Sequence, residues 1–269
     1  MRIITLTTDF GDKDGYAGVM KGVILGIDPR AVIVDITHQI DPQDLVQAAF
    51  SIRSSFRYFP SGTVHVVVVD PGVGTGRAVV AFELAGHIFL GPDNGVFGLV
   101  RSEEEMRWLV AVDNPDLFHH PVSDTFHGRD IFAPVAAHIQ NGVSPDQLGL
   151  PMNPADMVAL DYSPPRVLNK KEITGQIIDV DRFGNLISDI DADLIGSLPR
   201  VQSNRSVIVR LGNHRIDGLA TTYQNSRPGS FVAYIGSRGF LEIALNQGNA
   251  AAHIGIGKGS VVHVSIENP

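Results

Sequence analysis

The segment TVHVVVVDPGVGTGR, residues 63–77, decides how this chain is read. Its first half is almost entirely apolar and β-branched. A strand of that composition is covered on both faces, as happens in a sheet flanked by helices. Its second half is polar and glycine-rich, so the chain leaves the strand at Asp70 in a tight loop that ends at Arg77. In open α/β sheets, ligands bind beyond the carboxyl ends of the strands. The segment therefore points to a fold and to a place where chemistry would sit.

Outward from this strand the pattern alternates. Upstream, Arg2–Thr8 reads as a strand and Tyr16–Ile27 as a helix stopping before Pro29. Ala31–Ile36 (AVIVDI) reads as a strand, and Pro42–Phe56 as a helix with an apolar stripe at Leu45, Ala48, Ala49 and Ile52. Downstream, Ala78–Glu83 and His87–Leu90 form a hairpin, Trp108–Val112 a strand and Ile131–Ile139 a helix. Alternating strands and helices predict an α/β N-terminal domain over residues 1–165, a mostly parallel sheet sandwiched by helices. Residues 150–171 carry four prolines and end in Lys170-Lys171, which reads as a connection, with the linker proper at 166–171. Helical periodicity then disappears. Short runs (GQIIDV, NLISDI, SVIVRL, SFVAYI, FLEIAL, VVHVSI) separated by Gly, Asn and Ser predict an all-β C-terminal domain over 172–269, an antiparallel barrel or sandwich.

The chain has 269 residues, 43% of them hydrophobic, enough for a substantial core. Its net charge of −8 argues against a nucleic-acid partner, which needs a basic face, but does not disfavour a cationic small molecule. With no cysteine there is neither a disulfide nor a thiolate ligand or nucleophile. The opening MRIITLTTDFGD is too short an apolar run for a signal peptide, and no stretch reaches the ~18 apolar residues of a membrane span. A cytoplasmic protein without membrane contact is expected.

The polar clusters fall in loops after strands. Asp9 and Asp14, in TTDFGDKDGY, are ordinary turn and capping residues, but a carboxylate there can also accept both hydroxyls of a ribose. Asp70 and Arg77 bracket glycines that let a ligand approach the backbone. The loop lacks the Lys-Ser/Thr of a Walker motif, and a hairpin follows where a dinucleotide site needs a helix. An Asp–Arg ion pair in a glycine-rich turn explains the same residues. His127, in FHGRD, stands in a loop before a helix. Asp93 and Asn94, in GPDNG, read as a tight turn. In the second half, Asp181, Phe183 and Asn185 (DRFGN) and Ser237 and Arg238 (GSRG) have β-turn composition. Alternatively, Phe183 and Asn185 hold a planar base, and Arg238 with Ser237 a carboxylate.

Taken together, TTDFGDKDGYAGVMKG, VVVVDPGVGTGR, LGPDNGVF, TFHGRDIFAPVAA, DVDRFGNLISDI and YIGSRGFLEIALNQGNAA resemble the S-adenosylmethionine hydroxide adenosyltransferases, relatives of the fluorinase and chlorinase. The segments occur in family order across nearly the whole chain. The resemblance implies hydrolysis of S-adenosyl-L-methionine to adenosine and methionine by water attacking C5′. It implies no cofactor and no metal, and a homotrimer whose active sites lie between neighbouring subunits. It assigns Asp70, Arg77 and His127 to the attacking water, Asp9 to the ribose diol and Asp14 to the methionine end. Asp181, Ser237 and Arg238 then hold the methionine amine and carboxylate, Phe183 and Asn185 contact adenine, and Tyr223 packs on it. The halogenases carry Tyr in place of Asp70 and lack the His of FHGRD, so the trio points to water. A carboxylate at 70 also repels halide. Two rivals stand beside this reading: a metal-dependent phosphoesterase using Asp9, Asp70, Asp93 and His127, and a sensor that binds S-adenosylmethionine or adenosine without turnover.

Overall fold

A computed structural model describes residues 2–101, 105–169, 171–198, 207–222 and 226–267. The chain divides into two compact units, Met1–Asp161 and Tyr162–Pro269.

In the first unit the strands are β1 (Ile3–Thr8), β2 (Val32–Thr37), β3 (Val64–Val68), β4 (Val79–Leu84), β5 (His87–Pro92), β6 (Met106–Val112) and β7 (Gly149–Pro151). The helices are α1 (Tyr16–Ile27), α2 (Leu45–Ser55), α3 (Gly98–Arg101), α4 (Ala133–Gln140) and α5 (Pro145–Leu148). The strands form one sheet in the order β2-β1-β3-β5-β4-β6-β7. It is parallel from β2 to β5 and antiparallel from there to β7. The change of sense follows from the β4–β5 hairpin, whose two strands must run in opposite directions.

The valines of β3 explain the layers. Val64, Val66 and Val68 face a core built with Met20 and Ile24 of α1 and Val135 and Ala136 of α4. Val67 and Val69 face the opposite core, with Ala48 and Ile52 of α2 and Phe82, Phe89 and Phe97. Every β3 position is buried because helices cover both faces. Each buried valine among them contributes on the order of 1.5–3 kcal/mol of hydrophobic stabilisation. Helix α2 begins at Leu45, later than the sequence suggested, because the Asp44 carboxylate accepts the Gln47 N–H at 2.8 Å and caps it there.

The connection β1-α1-β2 leads to one side of β1, and β2-α2-β3 returns to the other. The loops after β1 and β3 therefore part at the carboxyl ends of two adjacent parallel strands, the place where such sheets open a crevice.

The second unit contains β8 (Arg166–Asn169), β9 (Glu172–Val180), β10 (Leu186–Asp191), β11 (Val207–Leu211), β12 (His214–Asp217), β13 (Phe231–Ile235), β14 (Phe240–Leu245) and β15 (Val261–Ile266), with short helices α6 (Ala192–Gly196) and α7 (Ala250–Ile254). The sheet order is β12-β11-β15-β9-β10-β14-β13, antiparallel throughout, and its two end strands come together into a nearly closed barrel. Strand β9 is the corner: its first half pairs with β15 and its second with β10. Gly175 sits at this corner, where a Cβ would lie 2.2 Å from Asp189 Oδ1. Residues 166–169, which the flanking Pro164-Pro165 and Lys170-Lys171 marked as linker, pair with β9 as the edge strand β8.

Candidate active site

Asp70 lies two residues beyond β3, and Arg77 two residues before β4. The loop between them closes on itself: the Gly72 N–H donates to Asp70 Oδ1 at 3.2 Å and the Thr75 hydroxyl to the Gly72 carbonyl at 2.7 Å. Gly74 has φ +76°, and a Cβ there would fall 2.3 Å from the Asp124 carbonyl oxygen, so glycine lets this loop lie against the 123–130 loop. That second loop delivers His127, which leads into a π-helical turn, Gly128–Phe132, continuous with α4. The helix was read from Ile131. The added turn before it is a π-bulge, a device frequent at functional sites.

These loops join three side chains. Arg77 Nε donates to Asp70 Oδ1 and Oδ2 at 3.0 and 2.9 Å, and Arg77 Nη2 also reaches Oδ2. The same Nη2 lies 2.9 Å from His127 Nδ1. The Arg77 and Asp70 side chains are only 10% and 5% exposed, so their ion pair is largely removed from water. A guanidinium has donors and no acceptor. His127 Nδ1 therefore accepts, and the ring is the neutral tautomer with its proton on Nε2. Burial, and next the Arg77 charge, push the His127 pKa below its ordinary 6.5. The ring thus stays neutral at pH 7.

Asp70 and His127 line a cavity of about 110 Å³ together with Asp9, Phe10, Gln43, Val68, Val73, Thr125, Phe126 and Gly128. Asp9 follows β1, and its Oδ2 accepts the Gln43 N–H at 2.9 Å. Phe10 and Phe126 pack against each other and against Tyr16, with ring centroids 5.1–5.8 Å apart. A Cβ at Gly128 would meet Phe126, Met20 and Phe10 at 3.0–3.3 Å, so glycine keeps this wall close. The structure thus brings Asp9, Asp70, Arg77 and His127 together. Asp14 is exposed in the turn before α1 and does not line the cavity.

Asp93 is buried and accepts the Val158 N–H at 3.0 Å, and burial raises its pKa. Asn94 Nδ2 donates to the Val69 carbonyl at 2.9 Å, which ties the turn to the end of β3. Among the described residues, no three His, Asp or Glu side chains converge as metal ligands.

In the second unit, Asp181 organises its own turn. Its Oδ1 accepts the N–H groups of Phe183 and Asn185, both at 2.9 Å, and its Oδ2 accepts Asn185 Nδ2 at 2.8 Å. Gly184 has φ +82° and packs on Asn249. Asn185 is buried, while Phe183 is 75% exposed. Ser237 and Arg238 occupy the β13–β14 hairpin turn, and Arg238 Nη1 reaches Asp179 Oδ2, two residues before Asp181, at 3.5 Å. Tyr223 lies outside the described residues.

Sequence reasoning missed Phe10, Gln43, Val73, Thr125 and Phe126 as cavity walls. Phe10 and Phe126 stood inside the quoted motifs. Gln43 carried no signal, since its role depends on a backbone φ of +66° that a glutamine does not advertise.

The geometry is matched by family comparison. Residues 4–149 match the SAM hydroxide adenosyltransferase N-terminal domain, and residues 175–263 its C-terminal domain. The chain belongs to the SAM hydroxide adenosyltransferase family. It is 35% identical to an (R)-S-adenosyl-L-methionine hydrolase of Thermus thermophilus, covering 98% of this chain and 100% of that one. A fluorinase of Nocardia brasiliensis is 25% identical over 98% and 97% of the two chains. Among solved structures, an uncharacterized conserved protein from Thermotoga maritima superposes with a TM-score of 0.90 at 36% identity, covering 98% of this chain and 99% of that one.

Proposed function

We propose that this protein is an enzyme that hydrolyses S-adenosyl-L-methionine to adenosine and L-methionine, and that Asp70, Arg77 and His127 handle the water. The observation that carries the reading is the continuous contact Asp70–Arg77–His127, whose two ends line a cavity that also holds Asp9. The relatives' names specify the R configuration at sulfur, an epimer preference that nothing in the sequence motifs signalled.

The chemistry follows from the groups present. The water oxygen attacks C5′, the C5′–S bond breaks, and its electron pair stays on sulfur as a neutral thioether. A sulfonium needs no general acid to leave. The difficulty lies with the nucleophile. The neutral His127 ring has its Nδ1 occupied by Arg77, so it offers an Nε2–H donor and orients the water. The Asp70 carboxylate is then the proton acceptor, and Arg77 fixes its direction. Holding water and C5′ in line supplies much of the remaining rate.

Asp9 binds the ribose diol, and Asp14 lies toward the methionine end. Asp181, Ser237 and Arg238 hold the methionine amine and carboxylate, and Phe183, Asn185 and Tyr223 contact adenine. Asp14's exposure and the turns at 181–185 and 236–239 suit sites completed in a homotrimer by a neighbouring subunit. The enzyme acts in the cytoplasm and requires no cofactor or metal. No described helix is long and apolar enough to cross a membrane.

The test is incubation of purified protein with each sulfonium epimer, with and without a chelator. Equal release of adenosine and methionine, faster from the R epimer and unaffected by chelation, is expected. Absence of turnover from both epimers contradicts the reading, and loss of turnover on chelation contradicts its metal-free chemistry.

A further inference from the structure

A second polar chain lies behind Asp9, out of the cavity. His38 follows β2 and is buried. Its Nδ1 lies 2.8 Å from Thr8 Oγ1, at the end of β1. Its Nε2 lies 3.1 Å from Asp35 Oδ1, off the line of a straight hydrogen bond. Asp35 Oδ2 in turn accepts from Lys21 Nζ of α1 at 2.5 Å. The carboxylate favours the ring proton on Nε2, which leaves Nδ1 to accept from the Thr8 hydroxyl. The Thr8 oxygen can then accept the Phe10 N–H, at 3.3 Å.

The His38 backbone adds a second hold. Its carbonyl accepts the Gly11 N–H at 2.7 Å. The two attachments bracket Asp9, one on the residue before it and one two residues after. A third comes from the Gln43 N–H on Asp9 Oδ2, made from a backbone φ of +66°. Left-handed backbone is costly for glutamine and persists where the surroundings impose it, often around functional sites.

We propose that Thr8, His38 and Asp35 are positioning residues that fix the Asp9 carboxylate where two vicinal ribose hydroxyls can reach it. The proposal rests on the reading of Asp9 as the ribose-diol ligand. Thr8 and His38 touch no substrate. They act by holding the 8–11 turn, so their loss costs only the part of binding that depends on the diol.

That selectivity gives the test. Affinities for adenosine and for 2′,3′-dideoxyadenosine are measured by calorimetry on the full chain, for wild type, Thr8→Val and Thr8→Ser. Valine preserves shape and β-branching while removing the hydroxyl. Thr8→Val is expected to weaken adenosine binding about tenfold, in line with losing one buried hydrogen bond, and to change dideoxyadenosine binding less than about twofold. Thr8→Ser restores adenosine binding. Unchanged adenosine affinity in Thr8→Val overturns the proposal, as does an equal loss for both ligands, which marks a general structural role. A wild type that binds both ligands equally removes the diol reading of Asp9, and the clamp with it, before any variant is compared. If Thr8→Val does not fold, Asp35→Ala at the more exposed end of the chain carries the same expectation at about threefold.

Discussion

At the scale of single residues, the account turns on His127. Because Arg77 donates to its Nδ1, protonating the ring breaks that contact and places two cations side by side. Its folded pKa is lowered from 6.5, so the active neutral form persists above that value and is lost only as pH falls below it. The kcat/KM profile is therefore expected to be flat near neutrality and to fall on the acid side with an apparent pKa below 6.5. A fall centred above 6.5 contradicts the assigned tautomer. Asp70→Asn and His127→Ala each remove a group that acts on the water. Both are expected to lower kcat by about 10²–10⁴ while adenosine affinity changes little. Wild-type turnover in both variants contradicts the assignment. Asp70, Arg77 and His127 were legible in the sequence as polar residues in loops, two around a glycine-rich turn after a strand and one before a helix, and the family resemblance gave them roles. Their contact was not legible, because Arg77 and His127 are 50 residues apart and meet only through two loops.

At the scale of elements, glycines let the functional loops pack. Gly74→Ala places a side chain at φ +76° against the Asp124 carbonyl, which pushes the Asp70–Arg77 loop from the loop carrying His127. Activity is expected to fall by at least about tenfold, with about 1–3 kcal/mol lost from stability, read by kinetics and by denaturant unfolding. Unaltered kinetics contradict the coupling of these two loops. The elements themselves were largely legible. The β3 run announced a strand buried on both faces, and α1 ended before Pro29 as its sequence suggested. The π-helical turn at Gly128–Phe132 was not legible, since one extra residue per turn leaves no mark in the apolar pattern of so short a segment. Nor was β8. Prolines mark irregular chain, but the four residues after Pro164-Pro165 suffice to pair along one edge of β9.

At the scale of the whole molecule, buried histidines set a pH limit on stability. His65 is fully enclosed, bonded to Thr5 and His87 and packed among Phe56, Phe59 and Phe89. Burial, with a contribution from His87, lowers its pKa to about 3. The unfolded chain binds a proton here below about 6.5, and the folded chain only near 3. Stability is therefore present above 6.5 and lost as pH falls toward 3, at about 1.4 kcal/mol per pH unit for this group. Denaturant unfolding between pH 7 and 4.5 is expected to show this slope, and His65→Gln to flatten it. An equal slope in both proteins contradicts this role for His65. The reaction itself is tested most directly by turnover in ¹⁸O-labelled water. Attack of water at C5′ places one ¹⁸O in the 5′-hydroxyl of adenosine and none in methionine. Adenosine released without label would contradict the account.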